Sequence, residues 1–178
     1  FLVSCGQRSD IDPLTCILPV PVSVERLEGT AGESVSYVTA DVPGAPESTA
    51  DEAYVLEVTE DGVTITSSGD RGRIWAGRTL EQLRRLAGNN AIPCCRIVDW
   101  PAYPLRGFMH DSARNFLEVE DVKGVIEAMS RAKMNFFHWH FTEYYGWRLE
   151  SKIYPQLQDS SSFYIRDIGK YYTQEDFR

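Results

Sequence analysis

Arg114 and Glu143 are the two residues whose types and positions point most directly to chemistry. Each follows a strongly apolar segment, residues 105–112 and residues 134–141, which has the composition of a strand. A guanidinium offers five N–H donors in a fixed fork that suits hydroxyl or carboxylate oxygens. A carboxylate beside it can accept from a sugar hydroxyl or orient a catalytic acid. A plain salt bridge between neighbouring loops explains the same pair equally well, and the sequence leaves both hypotheses open.

His138 and His140 form a second candidate group. Two positions apart on a strand, they point to one face, and a His-x-His pair is a metal-ligand arrangement in amidohydrolase-like enzymes. The only other histidine is His110, so the chain lacks a full set of imidazole ligands. We therefore favour histidines that are hydrogen-bonded in a protein interior, and we expect no metal and no cofactor. A metal-dependent hydrolase is kept as an alternative.

Strand and helix patterns alternate around these candidates. The pattern predicts a strand over 105–112, a helix over 119–133 with an apolar stripe, a strand over 134–141 that is apolar on both faces, and the start of a second helix at 173–176. Such alternation implies parallel strands with right-handed crossovers, hence an α/β fold. In a (β/α)8 barrel the polar residues just past the strand ends face the active site.

Residues 101–178 are too short to complete such a barrel. A complete barrel takes about 250 residues, so we expect this segment to be its first part. Two barrel strands leave an exposed edge and an uncovered apolar face. Residues 105–178 alone are therefore expected to be unstable, aggregated or complemented by further protein from their own barrel.

Residues 20–100 predict a small, non-catalytic α+β domain. The prediction consists of strands over 22–28 and 92–98, a loop over 43–51, a hairpin over 54–66 that turns at Asp61-Gly62, and a helix carrying Ile74, Leu80, Leu83 and Ala87 that stops at Gly88-Asn89-Asn90. Pro101 and Pro104 then mark a domain boundary.

Composition excludes several classes of protein. Of the 178 residues, 43% are hydrophobic and 25% are charged, as in ordinary globular proteins. The formal net charge of −8 argues against nucleic acid as a partner, because binding phosphates needs a basic surface. No run of eighteen apolar residues occurs, so we expect no transmembrane helix.

The cysteines suggest lipid attachment rather than zinc. No Cys-x-x-Cys pair occurs, and adjacent Cys94 and Cys95 fit a buried strand better than a vicinal disulfide. The segment Leu2-Val3-Ser4-Cys5 resembles the lipobox of bacterial lipoproteins, and the alternative is an arbitrary chain start. We expect residues 1–19 to be a leader or linker and the protein to reside in the cell envelope, in the periplasm or on the outer surface.

Longer motifs resemble one enzyme family. Residues 106–116 (RGFMHDSARNF) and 133–142 (KMNFFHWHFT) resemble the first two barrel strands of the family 20 glycoside hydrolases, the β-N-acetylhexosaminidases. Residues 146–150 (GWRLE) with Tyr154-Pro155, residues 172–176 (YTQED), the hairpin and the helical segment 79–83 (TLEQL) are similar as well. The resemblance covers about residues 20–178 in the same order.

This resemblance implies a substrate and a mechanism. Family members remove terminal N-acetylglucosamine or N-acetylgalactosamine with retention, the sugar's own acetamido oxygen serving as nucleophile. Arg114 matches an arginine that holds ring hydroxyls, and Glu143 matches an acidic residue in a relay that supports the general acid. The catalytic Asp-Glu pair belongs to the fourth strand, so we expect this chain alone to be inactive.

The sequence departs from the family at one place. Glu143-Tyr144-Tyr145 stands where the family has Asp-Asp-Gln, which lengthens the acidic side chain and adds two bulky rings. A relay depends on hydrogen-bond geometry. A non-catalytic carbohydrate-binding protein is therefore the second hypothesis.

Overall fold

The computed structural model describes residues 12–143 and 146–178. The chain divides into two compact units, Phe1–Pro104 and Leu105–Arg178, called here the first and the second unit. Cys5 and the lipobox lie outside the described residues. Among the residues that are described, no helix has the length and apolarity needed to cross a membrane.

The first unit is a five-stranded sheet with one long helix. Its strands are β1 (Ser23–Thr30), β2 (Val35–Thr39), β3 (Tyr54–Thr59), β4 (Gly62–Ser67) and β5 (Pro93–Asp99), in the order β1-β5-β3-β4-β2. Strand β2 runs parallel to β4, and the other neighbours are antiparallel. The helix α1 spans Asp70–Ala87, and short 3-10 helices span Pro13–Thr15 and Glu47–Glu52. The latter falls in part of the segment predicted as a loop.

The predicted hairpin is confirmed with a small shift of its turn. Leu56 pairs with Ile65 and Thr59 pairs with Gly62, so Glu60 and Asp61 form the turn instead of Asp61 and Gly62. Gly62 has φ +140, and a Cβ there would lie 2.6 Å from the Ser34 carbonyl oxygen. Glycine is needed because both the backbone conformation and the space exclude a side chain.

Helix α1 is confirmed, but the prediction for one of its residues is wrong. Leu80 and Leu83 are buried against the sheet, whereas Ile74 is 53% exposed. The buried face runs through Ala76, Leu80 and Leu83, and Ile74 lies two residues before Ala76, about 200° around the helix. The helix ends at Ala87, and Gly88, with φ +61, caps it where the stop was predicted.

The described part of the predicted leader packs on the domain. Leu14 and Ile17 belong to the same core as the sheet and α1. Gln82 of α1 accepts from the Leu18 N–H at 2.9 Å and donates to its carbonyl. Two apolar side chains three residues apart cover the core across a 3-10 turn, a pattern too short to detect as periodicity.

Cys94 and Cys95 are buried free thiols in β5, as predicted. Burial raises the pKa of Cys95 to about 11. The thiol is therefore neutral near pH 7 and packs as a small apolar group.

The second unit contains a β-α-β element, as predicted. Strands β6 (Gly107–Asp111) and β7 (Phe136–His140) are parallel, and α2 (Val119–Arg131) connects them. A short antiparallel pair follows, β8 (Thr142–Glu143) and β9 (Gly146–Trp147). The rest contains 3-10 helices at Pro155–Gln158, Ser160–Ser162, Ile165–Asp167 and Glu175–Phe177.

Two predictions for the second unit are wrong in part. Strand β7 was expected to be covered on both faces, yet Phe136 is 51% exposed, and Ile126 of the α2 stripe is 46% exposed. Two strands and one helix offer too few partners for these side chains. The predicted second helix is a single 3-10 turn, where Thr173 Oγ1 accepts from the Asp176 N–H at 3.3 Å.

Candidate functional site

The candidate site lies at the carboxyl ends of β6 and β7. Asp111 ends β6, His140 ends β7, and the two residues are register partners in the parallel pair. Arg114 follows β6 by three residues, and Glu143 follows β7 by three. Parallel strands present their carboxyl ends on one edge, so the sequence brings these side chains together.

The structure places Arg114 between two carboxylates. Its Nη2 lies 3.2 Å from Glu143 Oε2, and its Nε lies 3.3 Å from Asp111 Oδ2. The Arg114 N–H also donates to Asp111 Oδ1 at 3.0 Å, which ties the backbone of the loop to the strand end. We call Asp111, Arg114 and Glu143 the strand-end cluster.

The strand-end cluster is open to solvent on the side of the guanidinium. The Arg114 side chain is 67% exposed, Glu143 is 34% exposed and Asp111 only 18%. Exposed ion pairs contribute about 0–1 kcal/mol to stability. The cluster is therefore a weak stabiliser and an accessible set of N–H donors.

Asp111 is the site residue that sequence analysis missed. Its carboxylate engages both the backbone and the side chain of Arg114. An aspartate whose oxygen accepts from a backbone N–H a few residues later is a common turn device. The Asp-x-x-Arg spacing after a predicted strand was the available signal.

The two histidines do not act as a pair. His140 Nε2 lies 2.6 Å from the Thr142 carbonyl oxygen, so this nitrogen carries the proton. Its Nδ1 lies 3.9 Å from Asp111 Oδ2. His138 is exposed, and its ring centroid lies 6.1 Å from that of His140.

The geometry disfavours the metal alternative based on His138. In the described part of the chain, one group of three possible ligands occurs, Asp111, His140 and Glu143, whose ligand atoms lie within 4.8 Å of one another. His138 is not a member. The Arg114 guanidinium already pairs with both carboxylates of the group, so a cation there would have to compete with it.

A groove borders the cluster on the Glu143 side. It measures about 560 Å³ and is lined by Thr142, Glu143, Gly146, Trp147, Leu157, Ser161 and Ser162. Trp147 donates its indole N–H to the Leu149 carbonyl at 2.7 Å, which fixes the ring. The groove combines an aromatic side chain with hydroxyl and carboxylate groups, a combination suited to a polar ring-shaped ligand.

A directed hydrogen-bond chain supports the loop after β6. The Tyr172 hydroxyl donates to the Leu117 carbonyl at 2.7 Å, so Ser112 must donate its own proton to Tyr172, 2.9 Å away. Ser112 Oγ in turn accepts from the Trp139 indole N–H at 2.8 Å. Burial raises the pKa of Tyr172, so its hydroxyl stays protonated in this chain.

Sequence patterns of one enzyme family match both units. The pattern described as "Glycosyl hydrolase family 20, domain 2" matches residues 23–100. The pattern described as "Glycosyl hydrolase family 20, catalytic domain" matches residues 103–178.

The curated relatives that match the chain include beta-hexosaminidases. The chain is 39% identical to a beta-hexosaminidase of Akkermansia muciniphila over 164 residues, which is 91% of this chain and 32% of that protein. It is 33% identical to a beta-hexosaminidase of Vibrio furnissii, over 97% of this chain and 36% of that protein. The chain thus spans about a third of the length of the curated relatives it matches.

Solved structures agree. A β-N-acetylhexosaminidase from Bacteroides fragilis aligns with a TM-score of 0.74 at 30% identity, over 90% of this chain and 40% of that one. An exo β-N-acetylglucosaminidase from Vibrio harveyi, solved with N-acetylglucosamine, aligns with a TM-score of 0.77 at 27% identity, over 93% and 33%. The predicted α/β fold, a small domain followed by part of a barrel, is confirmed.

Proposed function

The chain belongs to glycosyl hydrolase family 20, and on that premise we propose that it forms the N-terminal domain and the first part of the catalytic barrel of a β-N-acetylhexosaminidase. The complete enzyme removes terminal N-acetylglucosamine or N-acetylgalactosamine. The observation that supports this most is the meeting of Arg114 and Glu143, 3.2 Å apart, at the carboxyl ends of two parallel strands.

Arg114 is the proposed substrate clamp. Its guanidinium is exposed and is held from two sides by the carboxylates of Asp111 and Glu143. A guanidinium fixed in this way presents its remaining N–H donors in one direction, so hydroxyls of a terminal sugar can be bound without reorganising the side chain. Holding the sugar here orients the anomeric carbon for reaction.

Glu143 is the proposed supporting residue of the acid relay. Its carboxylate binds Arg114, and it lines the groove beside Trp147. The extra methylene relative to the family's aspartate lets the carboxylate extend towards the guanidinium. In this proposal Glu143 couples the sugar clamp to the relay that orients the general acid.

The chemical step itself relies on groups outside these residues. In the substrate-assisted scheme the acetamido oxygen attacks the anomeric carbon while a glutamate protonates the leaving oxygen. The Asp-Glu pair expected on the fourth strand is not in this sequence. We therefore propose that the chain alone binds weakly and does not turn over.

Two substrates test the proposal in the complete enzyme. An aryl β-N-acetylglucosaminide should be hydrolysed with retention, whereas the matching aryl β-glucoside, which lacks the acetamido nucleophile, should not. Equal hydrolysis of both would contradict substrate assistance. Hydrolysis of neither would remove the enzymatic proposal.

A non-catalytic carbohydrate-binding protein is the second candidate. The sequence Glu143-Tyr144-Tyr145 in place of Asp-Asp-Gln supports it, because two bulky rings change the groups beside the relay residue. Titration calorimetry with N-acetylglucosamine separates the candidates. Binding without turnover of any aryl N-acetylhexosaminide favours this second function.

We also propose a location in a bacterial cell envelope, with a lipid on Cys5. The supporting observation is the lipobox Leu2-Val3-Ser4-Cys5. Metabolic labelling with palmitate should mark the wild-type protein and leave Cys5→Ala unlabelled. Equal labelling of both proteins would contradict the proposal.

A further inference from the structure

Arg148 is a fully buried arginine with a partner for every N–H group. Its side chain has 0% exposure, and its Nη2 pairs with Asp167 Oδ2 at 3.0 Å. The other donors reach four backbone carbonyls, those of Ser112 at 3.0 Å, Ala113 at 2.9 Å, Lys170 at 3.1 Å and Asp167 at 3.5 Å. All five N–H groups are used, as a buried guanidinium requires.

Two of these acceptors belong to the loop that carries the sugar clamp. Ser112 and Ala113 are the two residues between the end of β6 and Arg114. The carbonyl of Arg114 itself accepts from Arg166 Nη2 at 2.6 Å. Three consecutive carbonyls, 112 to 114, are therefore held by arginines from the segment 148–166.

The backbone at Gly146, two residues before Arg148, packs directly against the same loop. A Cβ on Gly146 would lie 2.5 Å from the Ala113 carbonyl oxygen, so only glycine fits there. The rings of Phe116 and Phe163 enclose the Arg148 guanidinium, whose central carbon lies 5.7 and 5.5 Å from their centroids. The loop position is thus fixed by groups remote from the solvent.

The side chain of Arg114, in contrast, has little packing of its own. It is 67% exposed, and the ion pairs that hold it are with the carboxylates of Asp111 and Glu143. Its direction depends on where the backbone places its Cα. A displacement of about 1 Å in a substrate-holding group can cost about 100-fold in rate.

We infer that Arg148 is a positioning residue for the sugar clamp: by binding the carbonyls of Ser112 and Ala113 it sets the place of Arg114. This inference rests on the proposed function and adds a residue that does not touch the substrate. Arg166 acts in the same way on the next carbonyl, from the surface. Asp167 forms ion pairs with both arginines and so fixes their positions relative to each other.

A double-mutant cycle in the complete enzyme tests the inference. Arg148→Lys keeps the charge opposite Asp167, but a single ammonium cannot span the carbonyls that a guanidinium reaches. We expect kcat/KM on an aryl N-acetylglucosaminide to fall about 10- to 100-fold, mainly through KM. In an Arg114→Ala background the same substitution should cost less than about twofold, because the group it positions is gone.

A purely structural role gives a different result. Equal fold-losses with and without the Arg114 side chain would overturn the inference, whatever their size. Arg131→Lys is the matched control, since Arg131 lies at the end of α2 and pairs with Glu127 away from the site. It should leave kcat/KM unchanged.

A surface variant covers the case in which Arg148→Lys does not fold. Arg166 is 66% exposed, and Arg166→Met removes the bond to the Arg114 carbonyl without emptying the interior. The same double-mutant cycle is then measured with Arg166→Met. A smaller loss of kcat/KM in the Arg114→Ala background supports positioning through the backbone carbonyls, and equal losses in both backgrounds overturn it.

Binding measurements separate this inference from the proposed function. The Kd for N-acetylglucosamine can be measured by calorimetry for the wild type, Arg148→Lys, Arg114→Ala and the double variant. These four values complete the same double-mutant cycle even if the enzyme does not turn over. If the wild type binds and the losses of binding free energy from the two substitutions add, the role of Arg148 is overturned and the proposed function is not. Absence of both binding and hydrolysis in the wild type would overturn the proposed function, and the inference with it.

Discussion

The two units use buried polar groups in different ways. In the first unit a continuous apolar core, with Leu56, Leu83 and Ile97 fully buried, dominates the interior. Its buried polar contacts, such as Tyr54 to Asp99 at 3.0 Å, join elements that the core already holds together. In the second unit the buried polar residue Arg148 joins loops through hydrogen bonds to their backbone carbonyls.

The first unit is built mainly for stability, whereas the second unit carries the candidate functional residues. The first unit buries its helix face and sheet face against each other, and burial of apolar area stabilises a fold without specifying a ligand. The second unit leaves apolar side chains of β6 and β7 exposed, yet it fixes a charged cluster at the strand ends. In the second unit hydrogen bonds hold the loops that carry the candidate site, and we expect the apolar core of the first unit to be stable by itself.

Cutting the chain between the units should produce the largest effect. We expect residues 12–104 to unfold cooperatively as a soluble monomer, because they contain a complete sheet-helix core. Residues 105–178 should aggregate or remain unfolded, because Phe108, Met109 and Phe136 are exposed. Circular dichroism melting and light scattering check both pieces. A cooperative, monomeric melt of residues 105–178 would refute the comparison.

Core truncation in the first unit should produce the next largest effect. Leu83 has 0% exposure, so Leu83→Ala should lower the free energy of unfolding of residues 12–104 by about 2–5 kcal/mol. Ile74→Ala on the exposed side of the same helix is the matched control and should cost less than about 1 kcal/mol. Urea titrations measure both. Similar losses would mean that the helix faces are wrongly assigned.

Removal of the charge of Glu143 should affect stability little and activity strongly. The ion pair with Arg114 is partly exposed, so Glu143→Gln should change the unfolding free energy of the complete enzyme by less than about 1 kcal/mol. Its kcat/KM should nevertheless fall, because the amide no longer anchors Arg114 with a charge. Glu143→Asp, which restores the family's residue, is the control. An unchanged kcat/KM in Glu143→Gln would remove Glu143 from the site.

Alkaline pH should also lower the stability of the first unit. Burial raises the pKa of Cys95 from 9.0 to about 11 in the folded state. As pH rises above 9, the unfolded chain loses this proton first, so stability should decrease between about pH 9 and 11. Urea midpoints of residues 12–104 at about pH 8 and pH 10.5 measure the decline. Cys95→Ala should show a shallower decline than wild type; an identical decline would contradict the assignment.

Local sequence patterns predicted the helices and strands better than the burial of individual side chains. The hairpin, α1, β5 and the parallel β-α-β element follow from alternation, helical spacing and Gly88. The exposure of Ile74 and Phe136 did not follow, because burial depends on which partners are present. Leu14 and Ile17 were missed since a single 3-10 turn has no periodicity to detect.

The sequence predicted the two residues of the candidate site but not the buried hydrogen bonds that support them. Strand ends and residue types indicated Arg114 and Glu143, and the structure brings them together. Arg148 lies outside this logic, because its partners are backbone carbonyls distant in sequence, and carbonyls have no sequence signature. Contacts of that kind become visible only once the chain is folded.

Substitution of Arg114 in the complete enzyme tests the central claim most directly. Loss of charge-assisted hydrogen bonds to a sugar should cost about 2–3 kcal/mol. Arg114→Ala should therefore reduce kcat/KM on an aryl N-acetylglucosaminide about 30- to 150-fold, with an unchanged melting temperature. Unchanged kcat/KM in a folded Arg114→Ala enzyme would contradict the assignment of this cluster as the sugar site.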